Sequence, residues 1–259
     1  MNKARIARQF GRAARSYAKA SEIQRKAGEA LLNLLPKDFA PRGVLDLGCG
    51  DGEHSAGMRA RWPQCALTAV DLAEGMLAAA KANTGLQNAT FLQEDMDDPA
   101  WWATDRWDLV YSNMALQWSA DGAAVAARVR ESLRAGGYFA LGAFLEGTCQ
   151  ELVSVFGACG VRLLPRPGFR AGATLLDWIA SARLSQVFCA EHREVERFPA
   201  LLPLLGKLRD LGAITGMEGH LTPGLVRKLE TRWKELFPDP LGLPLTWHFG
   251  LYLSRRLLP

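Results

Sequence analysis

The chain contains no apolar run approaching the ~18 residues a membrane-spanning helix needs. It also has no internal repeat and no low-complexity tract, which argues against solenoid or disordered architectures. Its five cysteines (Cys49, Cys65, Cys149, Cys159 and Cys189) are odd in number and scattered, with no CxxC and no His/Cys cluster. Neither a disulfide framework nor a zinc site is signalled. Reduced thiols, a cytoplasmic location, no membrane association and no metal are therefore the expectation. What is present is ordinary globular material. The 259 residues, 49% hydrophobic and 22% charged, suffice for one large domain with an insertion.

The net charge of +4 hides an asymmetry: residues 1–26 carry +7, which leaves the rest at −3. Arg5, Arg8, Arg12, Arg15 and Lys19 recur at steps of three and four and form one helical stripe, with Ile6, Phe10, Ala13, Tyr17 and Ala20 on the other face. A mitochondrial transit peptide shares this Arg-rich, acid-poor look. Here the segment is poor in serine and runs on into a longer helix. A nucleic-acid partner is not expected, because the remaining chain is acidic and Ser112-Asn113-Met114-Ala115 stands where a base-methylating Asn-Pro-Pro-Tyr-type motif would follow a fourth strand.

After helices predicted over 3–17 and 20–35, strand and helix patterns alternate, the signature of a parallel sheet. Strands are expected at 43–48, 66–71, 89–93, 107–112 and 138–144. The helix at 122–134 should reach strand five through a Gly136-Gly137 turn. From residue 160 the rhythm changes to a basic, proline-containing loop, a helix near 174–183, an alternating stretch at 185–198 and a broken helical region at 200–236. Residues 245–254 read as an antiparallel last strand. The expected fold is α/β: a Rossmann-like, doubly wound sheet, mostly parallel, with helical N-terminal and inserted lid segments. One domain is divided into a helical cap (1–40), a cofactor core (41–158), a substrate or lid insertion (159–240) and the last strand (241–259).

Residues 43–52, Gly-Val-Leu-Asp-Leu-Gly-Cys-Gly-Asp-Gly, run an apolar strand into a turn carrying Gly48, Gly50 and Gly52. Glycine lets the backbone turn tightly and approach a ligand without a Cβ in the way. Asp71 ends the second strand, where a carboxylate can accept both hydroxyl hydrogens of a ribose. The spacing D-x-G-x-G-x-G differs from the dinucleotide fingerprint, which has its third glycine inside the helix. With Asp46 before the turn, the pattern points to a nucleoside cofactor, S-adenosylmethionine. Ligands on such sheets bind beyond the carboxyl ends of the strands. That rule selects Asp46 and Asp51, Asp71, Glu94 and Asp95, and Asn113 and Gln117. Asp95 is placed to receive an adenine amino group, with Met96 covering the ring.

Several segments together resemble the malonyl-acyl-carrier-protein O-methyltransferase family of biotin biosynthesis. They are Phe10-Gly-Arg-Ala-Ala-Arg-Ser-Tyr17 with Gln24, Val44-Leu-Asp-Leu-Gly-Cys-Gly50, Asp71-Leu-Ala-Glu-Gly-Met-Leu77, and Trp107-Asp-Leu-Val-Tyr-Ser-Asn113 with Gln117-Trp118. Later come Glu146-Gly-Thr-Cys-Gln-Glu-Leu152, Gly212-Ala-Ile-Thr215 and Pro244-Leu-Thr-Trp-His248. Asp51 and Cys149 depart modestly from the family pattern. The glycine turn and Asp71 are common to class I methyltransferases and bear only on the cofactor; the flanking pieces bear on the acceptor.

The resemblance implies methyl transfer from S-adenosylmethionine, leaving S-adenosylhomocysteine, to the free carboxylate of a malonyl thioester on an acidic acyl carrier protein. Cofactor contacts are expected from Asp46, Gly48, Cys49 and Gly50, from Asp71, Leu72 and Met76, and from Asp95, Met96 and Asn113. A carboxylate is already ionised at neutral pH and needs no general base. It needs only an orienting partner: Tyr17, Gln117, Trp118 or an arginine near residue 12 or 170, with Trp247 and His248 as further pocket walls. Arg12, Arg15, Arg166 and Arg170, with Arg162, Lys207 and Arg209, are candidates for docking the carrier. Another small carboxylate, or a quinone-type ring carbon, is the alternative acceptor; the ring carbon would require a base.

Overall fold

The computed structural model describes residues 2–162, 168–212 and 220–258. A seven-stranded sheet runs in the order β3-β2-β1-β4-β5-β7-β6. Its strands are β1 (Gly43–Leu47), β2 (Ala66–Asp71), β3 (Thr90–Gln93), β4 (Trp107–Asn113), β5 (Leu133–Phe144), β6 (Ser185–Phe198) and β7 (Leu243–Arg255). The first five pair in parallel, and β7 runs antiparallel to both β5 and β6. The doubly wound α/β expectation therefore holds. The alternating stretch at 185–198 forms the outer edge, where its charged residues guard an otherwise open ladder.

Helices cover both faces, so the central strands are buried on both sides and read as continuous apolar runs. One face packs on α2 (Glu22–Asn33), α6 (Gln150–Ala158), α8 (Leu201–Asp210) and α9 (Pro223–Leu236), with Leu31, Met58, Phe156 and Trp233 in its core. The other packs on α5 (Gly122–Ser132) and α7 (Gly172–Ser181), with Leu45, Leu47, Val110, Phe139 and Ile179. Among the described residues, no helix is long and apolar enough to cross a membrane.

Residues 133–137 differ from the sequence expectation. Leu133 leaves the helical region (ψ 140°) and pairs with Trp107; the ladder then shifts register before Tyr138 meets Leu109. Leu133 is fully buried there, and that burial outweighs the helix propensity of Leu-Arg-Ala. Gly136, at φ 81°, supplies the irregularity.

Helix α1 (Lys3–Ala20) lies across α4 (Glu74–Ala82) and α8. The crossing with α4 is a contact of two glycines: a Cβ on Gly75 would come within 2.7 Å of the Gly11 backbone. This approach lets α1 roof the carboxyl ends of the strands.

Candidate active site

Two clefts meet beneath α1. The first, of about 680 Å³, lies over the turns that follow β1, β2, β3 and β4. Gly48 and Gly50, then Asp71, Leu72 and Met76, then Asp95, Met96 and Asn113 line it from the successive turns. Lys3, Ile6, Phe10 and Tyr17 of α1 close the top. The second, of about 600 Å³, is walled by Gln24, Gln117, Phe144, Cys149, Leu152 and Trp247. Phe10, Tyr17, Met114 and Trp118 line both clefts. Phe10 packs edge-on to Trp118 (5.2 Å) and Tyr17 (6.5 Å).

The glycine turn is held by the strand beside it. Gly48 N–H and Cys49 N–H both donate to Val70 O, at 2.8 and 2.9 Å, and Gly50 N–H donates to Asp71 Oδ2 at 2.9 Å. Gly48 has φ 82°, and a Cβ there would overlap Ala115 Cβ. A Cβ on Gly50 would meet only Tyr17 Cε1, at 4.0 Å, outside its chain neighbours. The space left by the missing side chain thus belongs to the cleft. Asp71 Oδ1 also accepts Ala73 N–H at 2.8 Å. Burial pushes the Asp71 carboxyl up, against these backbone donors. Each oxygen retains a lone pair for a diol.

The structure does not bring all the expected cofactor contacts to the cleft. Asp46 is 1% exposed and accepts Ser55 Oγ at 2.5 Å. Side chains alternate along β1, so Asp46 points to the face carrying helix α3 (Glu53–Arg61) rather than beyond the strand end. Burial pushes its carboxyl up to about 7; the Ser55 hydrogen bond opposes this, and Asp71 and Asp51 add to it. Cys49 packs with Ala69 and Leu77, away from the lining, and burial raises its thiol well above the ordinary value. Asp51 accepts Glu53 N–H at 3.4 Å and stays outside the cleft.

The substrate candidates also divide. Tyr17 faces both clefts, and burial, then Asp51, Asp71 and Glu53, push its hydroxyl far above the ordinary phenol value. It remains a hydrogen-bond donor. Gln117 turns Nε2 onto Met114 O at 2.8 Å, leaving Oε1 buried without a partner among the described residues. Trp247 lines the second cleft but its neighbour His248 does not, because adjacent strand residues face opposite sides of the sheet. His248 instead sits between Glu146 O (2.7 Å) and Glu191 Oε2 (2.9 Å).

No described arginine lines either cleft. Arg12, Arg15 and Arg170 are exposed, and Arg166 lies outside the described residues. Lys207 is engaged by Glu196 at 2.6 Å, so it is not a free docking charge. The described residues hold no cluster of three metal-ligating side chains.

Sequence reasoning missed the α1 contribution to the first cleft. Lys3 was read only as part of a basic segment, although Lys3, Ile6, Phe10, Ala13 and Tyr17 continue one face at helical spacing. Met114, at φ 54°, was also missed; it lines both clefts.

This strand order with reversed β7, a glycine turn after β1 and an acid ending β2 define a class I S-adenosylmethionine-dependent methyltransferase. The carboxylates of Asp71 and Asp95, with apolar Leu72 and Met96 in the same lining, suit a ribose and an adenine, and Gly50 leaves room for the chain joining them. A methyltransferase-domain family matches residues 44–137. Among solved structures, YcgJ from Bacillus subtilis is similar (TM-score 0.65, 13% identity, 91% of this chain and all of that one). So is phosphoethanolamine N-methyltransferase 2 from Haemonchus contortus, solved with S-adenosyl-L-methionine (TM-score 0.59, 14% identity, 94% of this chain, 56% of that one).

Curated malonyl-[acyl-carrier protein] O-methyltransferases match along almost the full length. That of Pectobacterium atrosepticum is 32% identical over 88% of this chain and 85% of its own, and that of Dechloromonas aromatica 31% over 98% and 95%. The chain belongs to the malonyl-[acyl-carrier protein] O-methyltransferase family.

Proposed function

We propose that the chain methylates the free carboxylate of a malonyl thioester, borne by an acyl carrier protein, using S-adenosylmethionine. The ester so formed primes chain extension toward biotin. The observation that carries this reading is the pair of clefts sharing Phe10, Tyr17, Met114 and Trp118. Among the described residues, the second cleft presents no carboxylate, imidazole or amine. That lining suits an acceptor that arrives already ionised and requires no proton removal.

In the first cleft, Asp71 would hold the ribose, Asp95 the adenine amino group, and Met96, Leu72 and Met76 the apolar faces. When bound, the cofactor supplies an electrophilic methyl group on a sulfonium. Phe10, Met114 and Trp118 exclude water where the clefts join, and this strips the carboxylate of solvation and narrows its approach. Tyr17 keeps its proton and, with the indole N–H of Trp118, supplies the donors of this shared wall, the polarity a carboxylate requires.

The carrier partner is proposed to be acidic, docking on the outer face of α1. That face exposes Arg8, Arg12, Arg15 and Lys19 while the inner face lines both clefts.

Mass spectrometry of malonyl-carrier protein after incubation with the enzyme and S-adenosylmethionine tests the function. One methyl gained on the malonyl group is expected. No gain there, with transfer to a tricarboxylic acid or a quinone instead, would overturn the acceptor while leaving the methyltransferase class standing.

A further inference from the structure

Lys3 stands in the first turn of α1, where a cation is disfavoured by the helix's own dipole. Its position is explained by what lies across the cleft. An ammonium has three N–H donors and no acceptor. Lys3 Nζ lies 2.8 Å from Asp95 Oδ1, 2.5 Å from Asp97 Oδ2 and 3.2 Å from Trp118 O. One side chain therefore joins three segments: α1, the turn after β3 and the turn after β4.

Each partner has a specific place. Asp97 also accepts Ser119 Oγ (2.5 Å) and Ala120 N–H (2.7 Å), tying the turn after β3 to the turn after β4. Burial pushes the Asp97 carboxyl up, but Lys3, Ser119 and Ala120 outweigh it and hold it below its ordinary value. Asp95 Oδ1 takes Lys3 and the Asp97 N–H (3.0 Å), and the Asp95 carbonyl accepts Trp101 Nε1 at 2.8 Å. Asp95 Oδ2 has no hydrogen-bond partner among the described residues, and Asp95 lines the first cleft. With Oδ1 committed, the free acceptor is the one left for a ligand.

We propose that Lys3 is a positioning residue for the nucleoside. It clamps Asp95 so that Oδ2 accepts the exocyclic amino group of adenine, and it thereby makes the cleft discriminate adenine from hypoxanthine. Hypoxanthine carries a carbonyl where adenine carries its amino group, so a fixed carboxylate repels it. A released carboxylate can rotate away and tolerates either base. The same clamp holds Trp118, a wall of both clefts, in register with the nucleoside. The inference rests on the reading of the first cleft as the cofactor site.

Calorimetric binding of S-adenosylhomocysteine and its inosine counterpart tests it, using the full chain, Lys3→Met and Lys3→Arg. Far-UV circular dichroism and thermal unfolding without ligand serve as fold checks. The native chain is expected to prefer the adenine ligand more than tenfold. Lys3→Met should weaken the adenine ligand about tenfold and the inosine ligand less than twofold, so the preference collapses, consistent with loss of a charge-assisted contact. Lys3→Arg, which keeps the cation, should restore most of it. Equal weakening of both ligands, or of neither, overturns the positioning role. Failure of the native chain to bind either ligand would instead overturn the cofactor reading itself.

Discussion

Glu151 and Thr246 stand 95 residues apart and are joined by two hydrogen bonds: Thr246 N–H donates to Glu151 Oε2 at 2.9 Å, and the Thr246 hydroxyl donates to Oε1. Close by, Thr148 Oγ1 donates to His248 O at 2.6 Å, and Cys149 N–H donates to Thr246 O at 2.7 Å. The Gly-Thr…Glu-Leu and Leu-Thr-Trp-His segments are thus two halves of one clamp. It holds α6 and the preceding turn onto β7, and from it Cys149, Leu152 and Trp247 face the second cleft.

Removing the clamp's carboxylate should show its worth. Glu151 is 4% exposed, so Glu151→Ala leaves the Thr246 N–H and hydroxyl buried without an acceptor. A loss of about 2–4 kcal/mol is expected. Glu151→Gln retains one acceptor and should cost less. Urea denaturation of both variants measures this, and an alanine variant as stable as the native chain would contradict the clamp.

The glycine turn predicts a pair of opposite effects. Gly48→Ala places a Cβ at φ 82° against Ala115, with a backbone cost of about 1–2 kcal/mol before any steric overlap. It should lower the melting temperature and weaken S-adenosylhomocysteine binding more than tenfold. Gly57, exposed in α3 with nothing within 4 Å of a built Cβ, should gain about 0.5–1 kcal/mol as alanine without touching the ligand. Differential scanning calorimetry separates the two.

Asp46 predicts a pH dependence. Its carboxyl moves from 3.8 to about 7 on folding, chiefly through burial. Between those values the folded protein holds a proton the unfolded chain has released. The group's stabilisation is therefore full below the unfolded value and is lost as pH rises through the folded one. Asp46→Asn cannot titrate. Its stability should fall less steeply across this window, by on the order of 1 kcal/mol per pH unit, with Asp71 supplying a residual slope. Denaturant midpoints at a series of pH values check the sign.

The exposed arginines of α1 predict a difference between substrates. Arg12→Glu with Arg15→Glu should raise KM for the carrier-bound thioester about tenfold at low salt, less at high salt, and affect the coenzyme A thioester less. Steady-state kinetics with both substrates is the measurement. Equal effects would remove the docking role.

The strand positions, the parallel sheet with a reversed last strand, and the glycine turn with Asp71 were legible because each depends on near neighbours in the chain. Alternation, turn chemistry and strand ends are local properties. Asp46 lies outside the lining of the first cleft for a reason equally local in form but global in outcome. Its side chain had to choose a face, and Ser55 of α3 lay on the occupied one. Trp247 and His248 were expected to share a pocket, although a strand separates such neighbours by construction.

Sequence alone determined the cofactor chemistry: a glycine turn at the end of the first strand, and acids at strand ends. It also determined the acceptor class, through pieces spread along the whole chain. Only the tertiary structure decided how those pieces work together. The α1 roof, the contact of Gly11 with Gly75, the Glu151–Thr246 clamp and the three-way grip of Lys3 all join residues distant in sequence. No local pattern records such pairings, because the free energy that selects them comes from packing the finished sheet.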